Sequence, residues 1–258
     1  MSNTKRIIKQ IIIAIIYIVI FLFIVISIWF SLFPPQPKVE EVKPMEILPL
    51  KVLEFKSINV DNNKVDMIAF VENPNVSLGL ETFQYRFVLE SEQGGEDRFI
   101  TGNSFIAPGE DNRAIVSINN DIRGYRLKDF QVFPKTEQWQ NLKDYTEPNV
   151  LIREVTGVAS DSIGKPFLLR GVLRNASEYQ IREIELIAIL TDMNDEIVAI
   201  NKTMINNVSK ESTREFSMLW DNNITYSNET VLPYTNVLQK NLFGDDVLKN
   251  PEIELPIK

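Results

Sequence analysis

The sequence predicts an all-β protein, with one N-terminal transmembrane α-helix followed by two β-sandwich domains. Three observations carry this. Residues 11–33, "IIIAIIYIVIFLFIVISIWFSLF", contain no charged side chain. Beyond them, apolar residues recur with a period of two. Two long segments of the remainder also repeat one pattern of strands and turns.

Taken in chain order, residues 1–10 form a basic N-terminus, with Lys5, Arg6 and Lys9 and no acidic residue. As a helix, residues 11–33 would rise about 35 Å, enough for a hydrocarbon core of about 30 Å. Trp29 lies near one end, where aromatic rings favour the headgroup layer. A signal peptide has a shorter apolar region and a small-residue cleavage site, and "SIWFSLFPPQP" offers none. The absence of cysteine excludes lipoprotein processing. Basic residues stay on the cytoplasmic side. The expectation is therefore a single-pass protein with residues 1–10 inside and 34–258 extracytoplasmic.

Residues 34–47 hold Pro34, Pro35, Pro37 and Pro44. Proline ends the helix and favours extended polyproline II, so this stretch reads as a semi-stiff stalk. Strand structure is expected from about Leu48. The two sandwich domains are placed at 48–146 and 147–240, with a C-terminal tail at 241–258.

Composition limits the chemistry. The chain carries a net charge of −8, and setting aside the three basic residues of the N-terminus leaves −11 for the exported part. Such a surface repels nucleic acid, which is excluded as a partner. Histidine and cysteine are both absent. That removes disulfides, thiolates, the usual zinc ligands and a histidine base. An exported chain without disulfides rests on its core alone. The absence of cysteine fits a prokaryotic envelope.

The tandem repeat is read by aligning Asn73 with Asn175, 102 positions apart. At that offset Ala114, Val116 and Ile118 fall on Phe216, Met218 and Trp220, and Gly94 falls on Glu196. Within each unit Phe83, Tyr85, Phe87 and Leu89 alternate, as do Ile184, Leu186, Ala188 and Leu190. Alternation of this kind marks a strand with one buried face. Gly94-Gly95, Asn194-Asp195 and Pro108-Gly109 supply turns. Residues 135–145, "KTEQWQNLKDY", read equally as a short helix or as a polar loop.

"AFVENPNVSLGLETFQYRFVL" resembles the water-stress and hypersensitive-response domain, also called late-embryogenesis-abundant type 2, over residues 48–130. That family's N-P-N is represented by Asn73-Pro74-Asn75. "GVLRNASEYQIREIELIAILTDMNDEIVA" resembles the FxLYD domain of prokaryotic envelope proteins, over residues 149–222. Its naming motif falls on Ala188, Leu190, Thr191 and Asp192; Leu190 and Asp192 match, while Ala188 and Thr191 depart. Both resemblances imply fibronectin-III or immunoglobulin-like sandwiches, and neither implies a catalytic residue. The asparagines read as turn residues that tolerate the left-handed region and bond local backbone.

No catalytic, cofactor or metal residue is assigned. "DMNDEI", from Asp192, places Ile197 and Thr203 where a calcium loop needs glycine and a bidentate glutamate. No G-x-S-x-G and no phosphate-binding glycine loop occurs. Six N-x-S/T sequons stand at Asn75, Asn175, Asn201, Asn207, Asn223 and Asn228. Trp220 and "LPYTNVLQKNLF" read as core or as an aromatic docking patch. The expected function is a non-catalytic binding or scaffolding protein of the cell envelope. It would meet the lipid bilayer through residues 11–33 and a protein partner outside. The alternative is a membrane-tethered carrier or sensor of an apolar small molecule, which needs a void between the sheets of the first domain.

Overall fold

The computed structural model describes residues 16–27, 29, 47–61, 63–142 and 147–239. The chain divides into two compact units between residues 46 and 47. In the first, residues 16–27 are helical and apolar throughout except at Tyr17 and Ser27, and every one of them is exposed. No helix among the described residues is long and apolar enough to cross a membrane. The rest of the expected span, the N-terminus and the stalk up to residue 46 lie outside the described residues, as does the tail from residue 241.

The second unit is all β. In its first half run β1 (Lys51–Asn59), β2 (Lys64–Glu72), β3 (Leu78–Ser91), β4 (Arg98–Ile106), β5 (Arg113–Asp121), β6 (Tyr125–Phe133) and the short β7 (Trp139–Asn141). The second half holds β8 (Val150–Ser162), β9 (Lys165–Asn175), β10 (Ile181–Thr191), β11 (Ile197–Val208), β12 (Thr213–Trp220) and β13 (Asn228–Tyr234). Four antiparallel sheets result, in the orders β1-β2-β5, β4-β3-β6, β12-β9-β8 and β11-β10-β13, with β7 added to β3. Each half thus repeats one strand order. The hairpin turns fall where expected, with Gly94, Gly109 and Asp195 at positive φ.

Each half closes a sandwich-like core between its two sheets. In the first, Met67, Leu80, Phe83, Phe87 and Leu89 are buried, and the Phe87 ring lies 4.7 Å from that of Phe130. In the second, Leu169, Leu173, Ile184, Leu186 and Leu190 surround Phe216, Met218 and Trp220. The Trp220 indole donates to Ile200 O at 3.0 Å, so this tryptophan is core and not a docking patch.

A third core joins the halves. Ile58, Ile68, Ala114 and Val116, on the outer face of β1-β2-β5, pack against Ile187, Ile189 and Ile200, on the outer face of β11-β10-β13. The four sheets therefore stack in layers. The expectation of one buried face fails for β10, and β2, the other inner central strand, is covered on both faces as well. Val65–Ala69 of β2 and Leu186–Leu190 of β10 are buried at every position. Leu186–Leu190 is apolar at every position and Val65–Ala69 at every position but Asp66, as a doubly covered strand requires.

Three further expectations are corrected. The single offset of 102 does not persist. It holds for β2 and β9, whereas the core-facing Phe83, Tyr85, Phe87 and Leu89 correspond to Ile184, Leu186, Ala188 and Leu190, a shift of 101. On the next strand Ala69 pairs with Ile115 where Gly171 pairs with Phe216. Ala114 and Val116 consequently face the other half, not the positions of Phe216 and Met218, because a one-residue slip flips a strand's faces. The stretch 135–145 is not a helix. It makes a 3-10 turn at Thr136–Gln138 and then β7, whose Trp139 pairs with Leu80; residues 143–146 lie outside the described set. Finally, Leu48 precedes the first strand and does not begin it. Its backbone N–H donates to Asn75 Oδ1 and its carbonyl accepts from Asn75 Nδ2, both at 2.8 Å.

Candidate functional site

Two asparagine corners, one in each half, fix the loops where the halves meet. Asn73 ends β2 fully buried. Its Nδ2 donates to Leu78 O at 2.6 Å and Ala107 O at 2.7 Å, and its Oδ1 accepts from the Asn75 N–H at 3.0 Å. Its own N–H donates to Glu110 O, and the Gly109 N–H donates to Asn75 O. Asn175 repeats this at the end of β9: Nδ2 donates to Tyr179 O at 2.8 Å and Val208 O at 3.2 Å, and Oδ1 accepts from the Ser177 N–H at 3.0 Å. The first corner reaches five residues on and the second four, which is the residue lost from the repeat. Neither asparagine has positive φ. The turn role stands, but its physics is a buried side-chain staple between strands, not left-handed backbone.

The Asn73 staple holds residues 107–110. The Asn175 corner holds the approach to β8, where the Ala176 N–H donates to Asn149 O and the Asn149 N–H donates to Ser177 Oγ at 2.9 Å. Between these loops and the end of β13 lies a cleft of about 260 Å³. Phe105, Pro108, Pro148 and Tyr234 are among its walls, with the carboxylates of Glu110, Asp111 and Glu147.

Arg113 stands behind this cleft, buried at 2% exposure. Its guanidinium is clasped between the Phe105 ring at 4.0 Å and the Tyr234 ring at 3.9 Å. Nη2 bonds Glu185 Oε2 at 2.5 Å across the junction, and Nε bonds Ser104 Oγ at 3.4 Å. Nη1 is buried, with no hydrogen-bond partner among the described residues. The Tyr234 hydroxyl donates to Asn112 O and accepts from the Ala114 N–H. Burial pushes that phenol up to about 12. Glu110 accepts from the Ala107 N–H at 2.7 Å. Burial raises its carboxyl above the ordinary value, opposed by Arg113 and assisted by Glu147.

Among the described residues no group of three histidine, cysteine or acidic side chains is placed to hold a metal ion. At the "DMNDEI" turn, Asp192 Oδ1 accepts from the N–H groups of Asn194 and Glu196, which hold its carboxyl below the ordinary value. Ala188 and Leu190 are core. Of the sequons, Asn75 and Asn175 are buried, while Asn207, Asn223 and Asn228 are exposed.

Of the cleft residues the sequence reading reached Pro108-Gly109, as a turn, and Pro233 and Tyr234 within "LPYTNVLQKNLF", as core or a docking patch, but not Glu110, Glu147 or the Arg113 behind them. One signal was present in "DNRAIVSI", where an arginine opens an apolar strand and so must find partners for a buried charge. Set against known protein families and characterised proteins, the chain matches none.

Proposed function

We propose that the chain is a membrane-anchored extracytoplasmic binding or scaffolding protein of the cell envelope, without catalysis. Its two halves would be fibronectin-III or immunoglobulin-like sandwiches, at 48–146 and 147–240, carried on a proline-rich stalk. One observation carries the anchoring: the apolar side chains from Ile16 to Ile26 are 43–72% exposed around a helix that is hydrophobic on every side. Such a surface calls for lipid or for another apolar helix. The uncharged run to residue 33 and the basic flank before it support a single pass with the sheets outside. Tethering raises the effective concentration of a partner, so individual contacts there can be weak. The carrier alternative needs an apolar void between the first pair of sheets, where Phe83, Phe87 and Phe130 are packed.

Protease added to intact cells tests this. Cleavage of residues 47–239 without permeabilisation, with the N-terminal segment protected, is the expected result. A chain recovered in the soluble fraction, or protected until the membrane is opened, would overturn it. In-cell cross-linking of the full chain should then trap a specific envelope protein.

A further inference from the structure

The stretch "LPYTNVL", residues 232–238, closes the second half but serves both halves. Within β13, Val231 packs into the second half's own core, while Leu232 and Tyr234 pack against the third core. That is the ordinary alternation of a strand. The division continues beyond the strand. Val237 packs into the second half's core, whereas Asn236 and Leu238 are buried against the first half. A turn at Asn236 holds this geometry. Its Oδ1 accepts from the Leu238 N–H at 3.3 Å, and its carbonyl accepts from the Gln239 N–H at 3.2 Å. Asn236 thus repeats the corner of Asn73 and Asn175, with Oδ1 bound to the N–H two residues on. Here, however, the amide donor crosses between the halves.

Three alternate residues grip the first half at separate points. The Tyr234 hydroxyl bonds the Ala114 N–H and Asn112 O, around the start of β5. Asn236 Nδ2 donates to Glu81 O on β3 at 2.8 Å, where the β3–β4 register shifts between Leu80 and Phe83. Leu238 lies over Gly79. A Cβ there would stand 2.9 Å from Leu238 Cδ1 and 2.9 Å from Ile106 O, so glycine makes room for the leucine. The chain after β6 behaves differently. It turns back onto its own half as β7, against Leu78–Leu80. The chain after β13 crosses to that same stretch of β3. The rest of the junction is less able to fix an angle. The third core is apolar, and apolar burial is non-directional. The exposed Lys56–Glu196 pair, at 3.4 Å, contributes little. The Arg113–Glu185 pair lies beside Tyr234, at the same end as the crossing chain.

We propose that Tyr234–Leu238 is a latch that clasps the second half onto the first, and that its release lets the halves part at this end about the third core. Pro233, Tyr234 and Thr235 also line the cleft, so the width of the cleft follows the latch. The proposal is independent of the anchoring. Because the chain has no cysteine, Val76→Cys with Glu178→Cys places one spin label on an exposed loop of each half. Pulsed dipolar spectroscopy of the detergent-solubilised full chain then reads the distance between them. The parent chain should give one narrow distribution. Asn236→Ala with Leu238→Ala should widen it at least about twofold. Val237→Ala trims the same segment on its other face and should leave the width unchanged. Asn236→Asp keeps the side-chain size and removes only the donor to Glu81 O; it should widen the distribution less, and it reads the latch if the double variant does not fold. A broad distribution in the parent chain would overturn the proposal. So would unchanged widths in the Asn236 variants, or equal widening by Val237→Ala.

Discussion

The two halves share a strand order but not an environment. In the first half β1-β2-β5 is the inner sheet and β4-β3-β6 faces out; in the second half the roles are exchanged. Ile68 on β2 therefore lies in the third core, while its counterpart on β9, Arg170, is exposed. Likewise Ile187 on β10 is buried, and its counterpart on β3 is Arg86, which bonds Gln131 and stacks between Phe99 and Phe133. Topology alone does not decide which face of a sheet is apolar. The contact is heterologous, since one kind of sheet meets the other kind, and such a contact can in principle repeat without closing. At the counterpart positions the two outward faces carry Arg86 and Arg170, a charge where polar end repeats of solenoids also place one.

Exchanging residues between counterpart positions tests this most severely. Ile68→Arg or Ile187→Arg should cost about 4 kcal/mol or more, because an unpaired charge enters an apolar core. Urea unfolding of the detergent-solubilised chain measures it. A loss under about 1 kcal/mol would mean that the third core does not exist in solution.

A smaller effect separates the corners. Asn73→Ala and Asn175→Ala each strand buried carbonyls and an N–H, so each should cost about 2–4 kcal/mol. If the staples are equivalent, the two losses agree within about 1 kcal/mol. A large loss at one corner only would break the equivalence.

Asp66 gives a pH-dependent test with no counterpart in the second half, where its position is Leu168. It is buried, and its carboxyl, which accepts from the Asn119 N–H at 2.7 Å, is pushed up to about 6 by desolvation. The folded value lies above the ordinary one, so the folded state binds the proton more tightly. Stability from this group is present below about pH 4 and is lost as pH rises through about 6. Asp66→Asn should therefore stabilise by about 1–3 kcal/mol at pH 7.5 and by little at pH 4. Equal effects at both pH values would place the titration elsewhere.

The smallest change in stability is expected at these two arginines. Arg86→Ile and Arg170→Ile should each alter stability by less than about 1 kcal/mol. Combined, they should promote self-association, visible by analytical ultracentrifugation. A monomeric double variant would show that the two charges are not what prevents it.

Much of the fold was legible in the residues. The strands, their turns at Gly94, Pro108-Gly109 and Asp195, and the duplication all come from local pattern, which backbone geometry ties to short windows. The Asn73 and Asn175 corners stood out by residue type, but not the staple they form, because its acceptors at Ala107 and Val208 are more than thirty residues away. The cleft was legible only in pieces, as the Pro108-Gly109 turn and the stretch that holds Tyr234. Its walls come from three separate loops, and each of Glu110, Glu147 and Tyr234 alone resembles an ordinary surface residue.

The sequence by itself determined the apolar N-terminal run, the period of the strands and the lack of histidine and cysteine chemistry. These follow from side-chain pattern and composition, which need no partner in space. Only the tertiary structure decided which sheets face each other across the third core, where the repeat loses a residue, and which carboxylates share a cleft. The physical reason is that a strand's covered face and a charge's surroundings depend on what packs against them, and that is set by contacts far apart along the chain.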